Sequence, residues 1–173
     1  MLALLKSSPL AVPFVHRHVV TSDTLDYYLK KWTLRAHDDF PILYLAFHGV
    51  EGEVQFGDLR RRSARVTLDR IAEILRGRCE GRVIHFGSCA TLGVSQRRLR
   101  RFIDETGALA VSGYEKDIDW VRSAMLDFTY FASIQQNTMT VPGMRAVRRR
   151  MQLRQGREIR SLSFRMVLRE PRS

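Results

Sequence analysis

Two residues in this chain have the types and the setting for joint chemistry. His48 follows the apolar run ILYLAF, and Cys89 follows RVIHFGS. A thiolate is a strong nucleophile, and an imidazole beside it can take the thiol proton or steer the thiolate. If both runs are strands of an open α/β sheet, both residues lie at carboxyl ends, where such sheets bind ligands. Gly49 follows the histidine and Gly87 precedes the cysteine, which leaves backbone exposed on both sides. The N–H groups of Gly49 and Cys89 are then placed to hold an oxyanion. A helix predicted over Ser95–Thr106 starts soon after Cys89, and its N-terminus would favour the thiolate.

Positioning these groups requires strands that alternate with helices. Ile42–Phe47, Arg82–Phe86 and Ala108–Ser112 read as buried strands, the first a continuous apolar run of six. Pro13–Val20 reads as a further strand of β-formers, interrupted by His16-Arg17-His18. Helical spacing predicts helices over Asp23–Leu34, Thr67–Arg76, Ser95–Thr106 and Pro142–Leu153. Asp117–Ile134 is predicted as another, with Trp120, Met125, Phe128 and Phe131 as its apolar face. Val50–Arg62 reads as a small hairpin, and Ile159–Leu168 as an edge strand. The pattern predicts an α/β fold with a mostly parallel sheet and helices on both faces, in one domain. Residues 13–134 form its expected core, and residues 142–173 a basic helix and edge strand.

The acids after Ala108–Ser112 belong to the same sheet edge. Asp117 reads as a helix cap. Asp119 and Glu115 remain as carboxylates able to select Arg or Lys in a substrate. Gly87 and Ser88, next to the nucleophile, would border the same substrate site. With such a specificity, Arg60-Arg61-Arg62 and Arg148-Arg149-Arg150 are self-cleavage sites. His85 lies within an apolar strand and reads as a satisfied core histidine. His16 and His18 lack a third ligand at metal-binding spacing, and Cys79 sits in a turn between Arg78 and Glu80.

YLAFHG and VIHFGSCATLG, in this order and spacing, resemble the caspase-like cysteine peptidases. Among them the bacterial CHAT-domain peptidases look most similar. The resemblance covers roughly Phe14–Phe131. It implies a three-layer caspase-like sandwich, with His48 as general base or imidazolium partner and Cys89 as nucleophile. It implies an endopeptidase that hydrolyses peptide bonds through an acyl-enzyme and needs no cofactor, often after activation by a protein partner. The sequence departs from the family in holding one strand–helix unit before the His-Gly run, where members have two. The first strand is therefore expected to be missing, with Leu2–Lys6 as the tail of a helix. It departs again at Gly87, where several members place an acid or glutamine.

Composition limits the alternatives. The chain has 173 residues, 45% of them apolar, with 11 glycines and 5 prolines, which fits a globular core and excludes a low-complexity linker. Apolar runs are too short to span a membrane. Met1–Pro13 is interrupted by Lys6, Pro9 and Pro13, so no secretory leader is read and a cytoplasmic location is expected. Two cysteines make no disulfide framework. No Walker loop or dinucleotide fingerprint is present. The net charge is +11, carried almost wholly by arginine, with ten arginines against two acids from Arg145 to Arg172. Such a balance suits an acidic partner. A second function class is therefore a catalytically silent module that binds a partner, or less favourably a nucleic acid, through its arginines; that stretch lacks aromatics for base stacking. A homodimer would hide an open sheet edge.

Overall fold

The computed structural model describes residues 2–9, 12–58 and 64–170. In chain order the elements are α1 (Leu2–Ser7), α2 (Ser22–Trp32), a short 3-10 turn (Arg35–His37), β1 (Ile42–Leu45), β2 (His48–Val50), β3 (Glu53–Gln55) and β4 (Arg65–Thr67). They continue as α3 (Leu68–Leu75), β5 (Val83–Phe86), α4 (Gln96–Thr106), β6 (Ala110–Tyr114), α5 (Trp120–Gln135), α6 (Val141–Ser161) and β7 (Phe164–Leu168).

The main sheet has the order β1-β5-β6-β7. β1, β5 and β6 run parallel, and β7 returns antiparallel beside β6 as an edge strand. All four residues of β5 and all five of β6 are buried, as central strands covered on both faces must be. Three of the four residues of β1 are only half-buried, because its outer edge has no neighbouring strand. Alternation along β5 sends Ile84 and Phe86 into one core with α2, α3 and α4. Val83 from β5 and Ala110 and Tyr114 from β6 enter a second core with α1, α5 and α6. The molecule is thus an α/β sandwich of three layers with a mostly parallel sheet. Among the described residues, no helix is long and apolar enough to cross a membrane.

Local chemistry sets the helix ends. Thr67 Oγ1 accepts from the Arg70 N–H at the start of α3, and Ser95 Oγ accepts from the Arg98 N–H at the start of α4. Gly107 ends α4 at φ +78°, a left-handed value that favours glycine.

Four expectations need correction. Pro13–Val20 forms no strand. It runs irregularly along a groove of about 840 Å³ beside the open edge of β1, with the polar His16-Arg17-His18 exposed. The hairpin expected over Val50–Arg62 is a three-stranded antiparallel ribbon that starts at His48 itself and takes in β4. α5 begins at Trp120, capped by Asp119 rather than Asp117: Asp119 Oδ1 accepts from the Arg122 N–H at 2.8 Å. Its buried face matches the predicted one only in part: Phe131 is in the second core and Phe128 packs against it, but Trp120 and Met125 are 80% and 68% exposed.

Candidate active site

The histidine and cysteine segments meet at the carboxyl ends of neighbouring parallel strands. Leu45, which ends β1, pairs with Phe86, which ends β5. The chain then leaves β1 into β2 and leaves β5 into the turn Ser88–Gly93. These two exits are in van der Waals contact at Gly49. A Cβ there would overlap the Cys89 carbonyl oxygen and Thr91 Oγ1, and would lie 2.9 Å from Ser88 Cβ. Only glycine lets the two backbones come this close.

The turn is pinned from several directions. Thr91 Oγ1 lies 2.7 Å from Ser88 Oγ, 3.2 Å from the Glu53 carbonyl oxygen of β3 and 3.2 Å from the Cys89 carbonyl oxygen. The Gly52 N–H donates to the Thr91 carbonyl at 3.1 Å. The Ala90 N–H donates to the Lys116 carbonyl, and the Leu92 N–H to the Tyr114 carbonyl. Ala90 itself sits at φ +53°, an unusual value for a residue with a side chain, and these bonds hold it there. The consequence is a rigid turn with Cys89 near its tip, half-buried.

β2 presents His48 and Gly49 differently. The two-residue turn Glu51-Gly52 makes Val50 and Glu53 a hydrogen-bonded pair, so His48–Gln55 is bonded and Gly49–Val54 is not. The N–H of Gly49 therefore points away from β3, toward the unpaired edge of β2. Alternation puts the exposed His48 side chain on the ribbon face opposite the one that meets the Cys89 turn. A pairing of His48 with Cys89 has to run past that edge, where the Gly49 N–H also opens.

The expected substrate contacts fare otherwise. Glu115 Oε1 is 2.9 Å from Arg165 Nη1, so its charge is met within the fold. Asp119 is spent on its cap. Ser88 is buried, with its hydroxyl turned to Thr91 inside the turn. Gly87 abuts the Tyr44 ring: a Cβ there would sit 2.7 Å from the Tyr44 oxygen and 2.9 Å from Cζ. Of the seven expected residues, the structure brings His48, Gly49, Gly87, Ser88 and Cys89 to one sheet end, with Glu115 on the adjoining loop; Asp119 belongs to the helix beyond. Arg60-Arg61-Arg62 lies outside the described residues. Arg148-Arg149-Arg150 lies in the middle of α6, where helical hydrogen bonds withhold the extended backbone a protease grips.

Two features escaped the sequence reading. Arg165 of β7 donates to the Leu92 and Val94 carbonyls at 3.1 and 2.7 Å and to Gln96 Oε1 at 2.6 Å, besides its ion pair with Glu115. It ties the far side of the Cys89 turn to the loop after β6. Nothing local marks this one arginine among so many. The second feature is a buried polar cluster beneath Gly87. His85 Nε2 lies 2.8 Å from Asp127 Oδ1, and His85 Nδ1 lies 2.9 Å from Ser112 Oγ, which donates to Tyr130 OH. Tyr114 and Tyr44 donate to the two Asp127 oxygens at 2.6 and 3.0 Å. The Ser112, His85 and Asp127 side chains line up as in a hydrolase triad, yet all three are at most 1% exposed, so no substrate reaches them. His85 is the satisfied core histidine its apolar setting implied.

Burial raises the Tyr44, Tyr114 and Tyr130 hydroxyls well above the usual phenol range, with the Asp127 carboxylate reinforcing each. Burial also pushes the Cys79 thiol up to about 12, against a small opposing pull from Arg82. Among the described residues, no group of acidic, histidine and cysteine side chains could hold a metal ion.

No curated protein and no solved structure matches the chain. One family model does, over residues 5–168, and by that match the chain belongs to the family described as "Family of unknown function (DUF6642)".

Proposed function

We infer that the chain is a caspase-like cysteine endopeptidase. The observation that carries this reading is the contact at Gly49, which joins the His-Gly and Cys segments at the carboxyl ends of adjacent parallel strands. In this reading His48 takes the thiol proton, Cys89 Sγ attacks the peptide carbonyl as the thiolate, and the carbonyl π electrons move to oxygen. The Gly49 N–H and the Cys89 N–H hold that oxyanion. His48 gives a proton to the departing amine as the C–N bond breaks. Water, deprotonated by His48, then attacks the thioester and returns the thiol. The rigid turn keeps Sγ in place, which spares the reaction part of its entropic cost.

Selection of Arg or Lys by Glu115 would require the substrate to displace Arg165 from its ion pair. A basic preference therefore has weaker support than hydrolysis itself. The test is a peptide mixture of mixed sequence, analysed by mass spectrometry for new termini. Cleavage by the chain and none by Cys89→Ala supports the reading, and equal product patterns would refute it. A second reading, a silent binding module, is favoured by the engagement of both expected substrate carboxylates in the fold.

A further inference from the structure

The N-terminal part of α5 turns apolar residues to solvent, beside the most basic part of the molecule. Trp120, Val121 and Met125 are 80%, 59% and 68% exposed. A tryptophan so open to water is costly to leave uncovered. Arg122, in the first turn of α5, donates to Glu158 Oε2 at 2.7 Å and to Ser161 Oγ at 2.9 Å in the last turns of α6. The exposed apolar residues thus share one end of the helix pair with Arg154, Arg157 and Arg160. Those arginines, together with Arg145, Arg148 and Arg149 further along α6, are exposed. Among the described residues none of the six has an ion pair or a side-chain hydrogen bond. Leu153 stands among them, 86% exposed.

We propose that the α5–α6 surface docks an acidic protein segment that carries apolar side chains. Charge complementarity supplies the first half of the argument: unpaired guanidinium groups call for carboxylates, which they bind in a fork. The exposed side chains supply the second. Val121, Met125 and Leu153 are aliphatic and need an apolar counterpart, which a nucleic acid backbone lacks. A single-strand surface would interleave its arginines with several aromatics, and Trp120 stands alone here. A second copy of the chain is disfavoured, because its own +11 charge would face the same arginines.

The experiment uses the full chain and three probes. The first is a synthetic peptide of about 20 residues with leucines at helical spacing in a glutamate background. The second replaces its leucines by serine, and the third is an oligo-dT of equal length. Trp120 reports binding by its fluorescence, since Trp32 is buried under Arg82. The proposal expects the leucine peptide to bind, to weaken with salt, and to bind at least about tenfold more tightly than its serine counterpart. It expects Arg154→Glu with Arg157→Glu, and separately Val121→Ser with Met125→Ser, to weaken it about tenfold. All four positions are exposed, so folding should survive; the exposed control Arg97→Glu on α4 should change little. Absence of binding, equal binding of the serine peptide, or tighter binding of oligo-dT would each overturn the proposal. So would a sedimenting dimer that Val121→Ser with Met125→Ser dissociates, which would assign the patch to a second copy.

Discussion

Gly49 and Gly87 both forgo a side chain, for different neighbours. At Gly49 the obstacle is backbone, the Cys89 carbonyl, which cannot step aside without moving the turn. Gly49→Ala should therefore lower stability by about 1–3 kcal/mol and remove peptide hydrolysis together. A thermal melt and the cleavage assay check it, and a fully active, equally stable variant would contradict it. The two thiols should also separate cleanly. Cys79 is buried with its thiol pushed up to about 12, while Cys89 is partly open. Iodoacetamide at mildly alkaline pH should add one group to the folded chain, at Cys89, as read by intact mass and peptide mapping. The meeting of the His48-Gly49 and Cys89 segments was legible because each follows an apolar run that forms a parallel strand. The fate of Glu115 was not, because its partner Arg165 lies on a distant strand and only the folded sheet brings them together.

At the scale of elements, β7 and α5 do more than cover the sheet. β7 delivers Arg165 to four acceptors around the Cys89 turn and its neighbouring loop. Arg165→Met keeps much of the packing and removes those bonds. It should cost about 2–3 kcal/mol and slow hydrolysis, with denaturant midpoint and turnover as the measurements. α5 delivers Asp127 to His85, Tyr44 and Tyr114. Asp127→Ala strands the buried His85 and Tyr114 and takes the acceptor from half-buried Tyr44, and should destabilise by about 3–5 kcal/mol. That polar burial also explains why hydropathy misplaced Trp120 and Met125 on the buried face of α5 while placing Phe128 and Phe131 there correctly. Beside Leu126, Phe131 and Ile134, the buried side carries Ser123, Asp127, Tyr130 and Ser133, which a hydrophobic pattern discounts, while Trp120, Val121 and Met125 face out. The strands were easier to read: β5 and β6 lie under helices on both faces, and continuous apolar runs announce that. Pro13–Val20 misled because β-forming residues also suit an irregular segment that lines a groove.

Over the whole molecule, the layered α/β arrangement followed from the alternation of runs, and the ribbon that begins at His48 did not, since three-residue strands leave almost no period to detect. Buried acids of high pKa give the fold a distinct response to alkali. Cys79, Tyr44, Tyr114 and Tyr130 keep their protons in the folded state beyond the values at which the unfolded chain releases them. Their contribution is full below about pH 9 and is lost as pH rises, by about 1.4 kcal/mol per pH unit for each group released only on unfolding. Melting temperature should fall steadily above about pH 9. Falling net charge would push the other way, so a flat profile would contradict the assignment. The reading as a peptidase rests on one relation, that His48 sets the reactivity of Cys89. The direct measurement is the rate at which a peptidyl electrophile labels Cys89, followed by intact mass in the parent chain and in His48→Ala. The account predicts stoichiometric labelling of Cys89 that slows by at least about a hundredfold in His48→Ala. Labelling at the same rate in both would show an exposed thiol and no dyad.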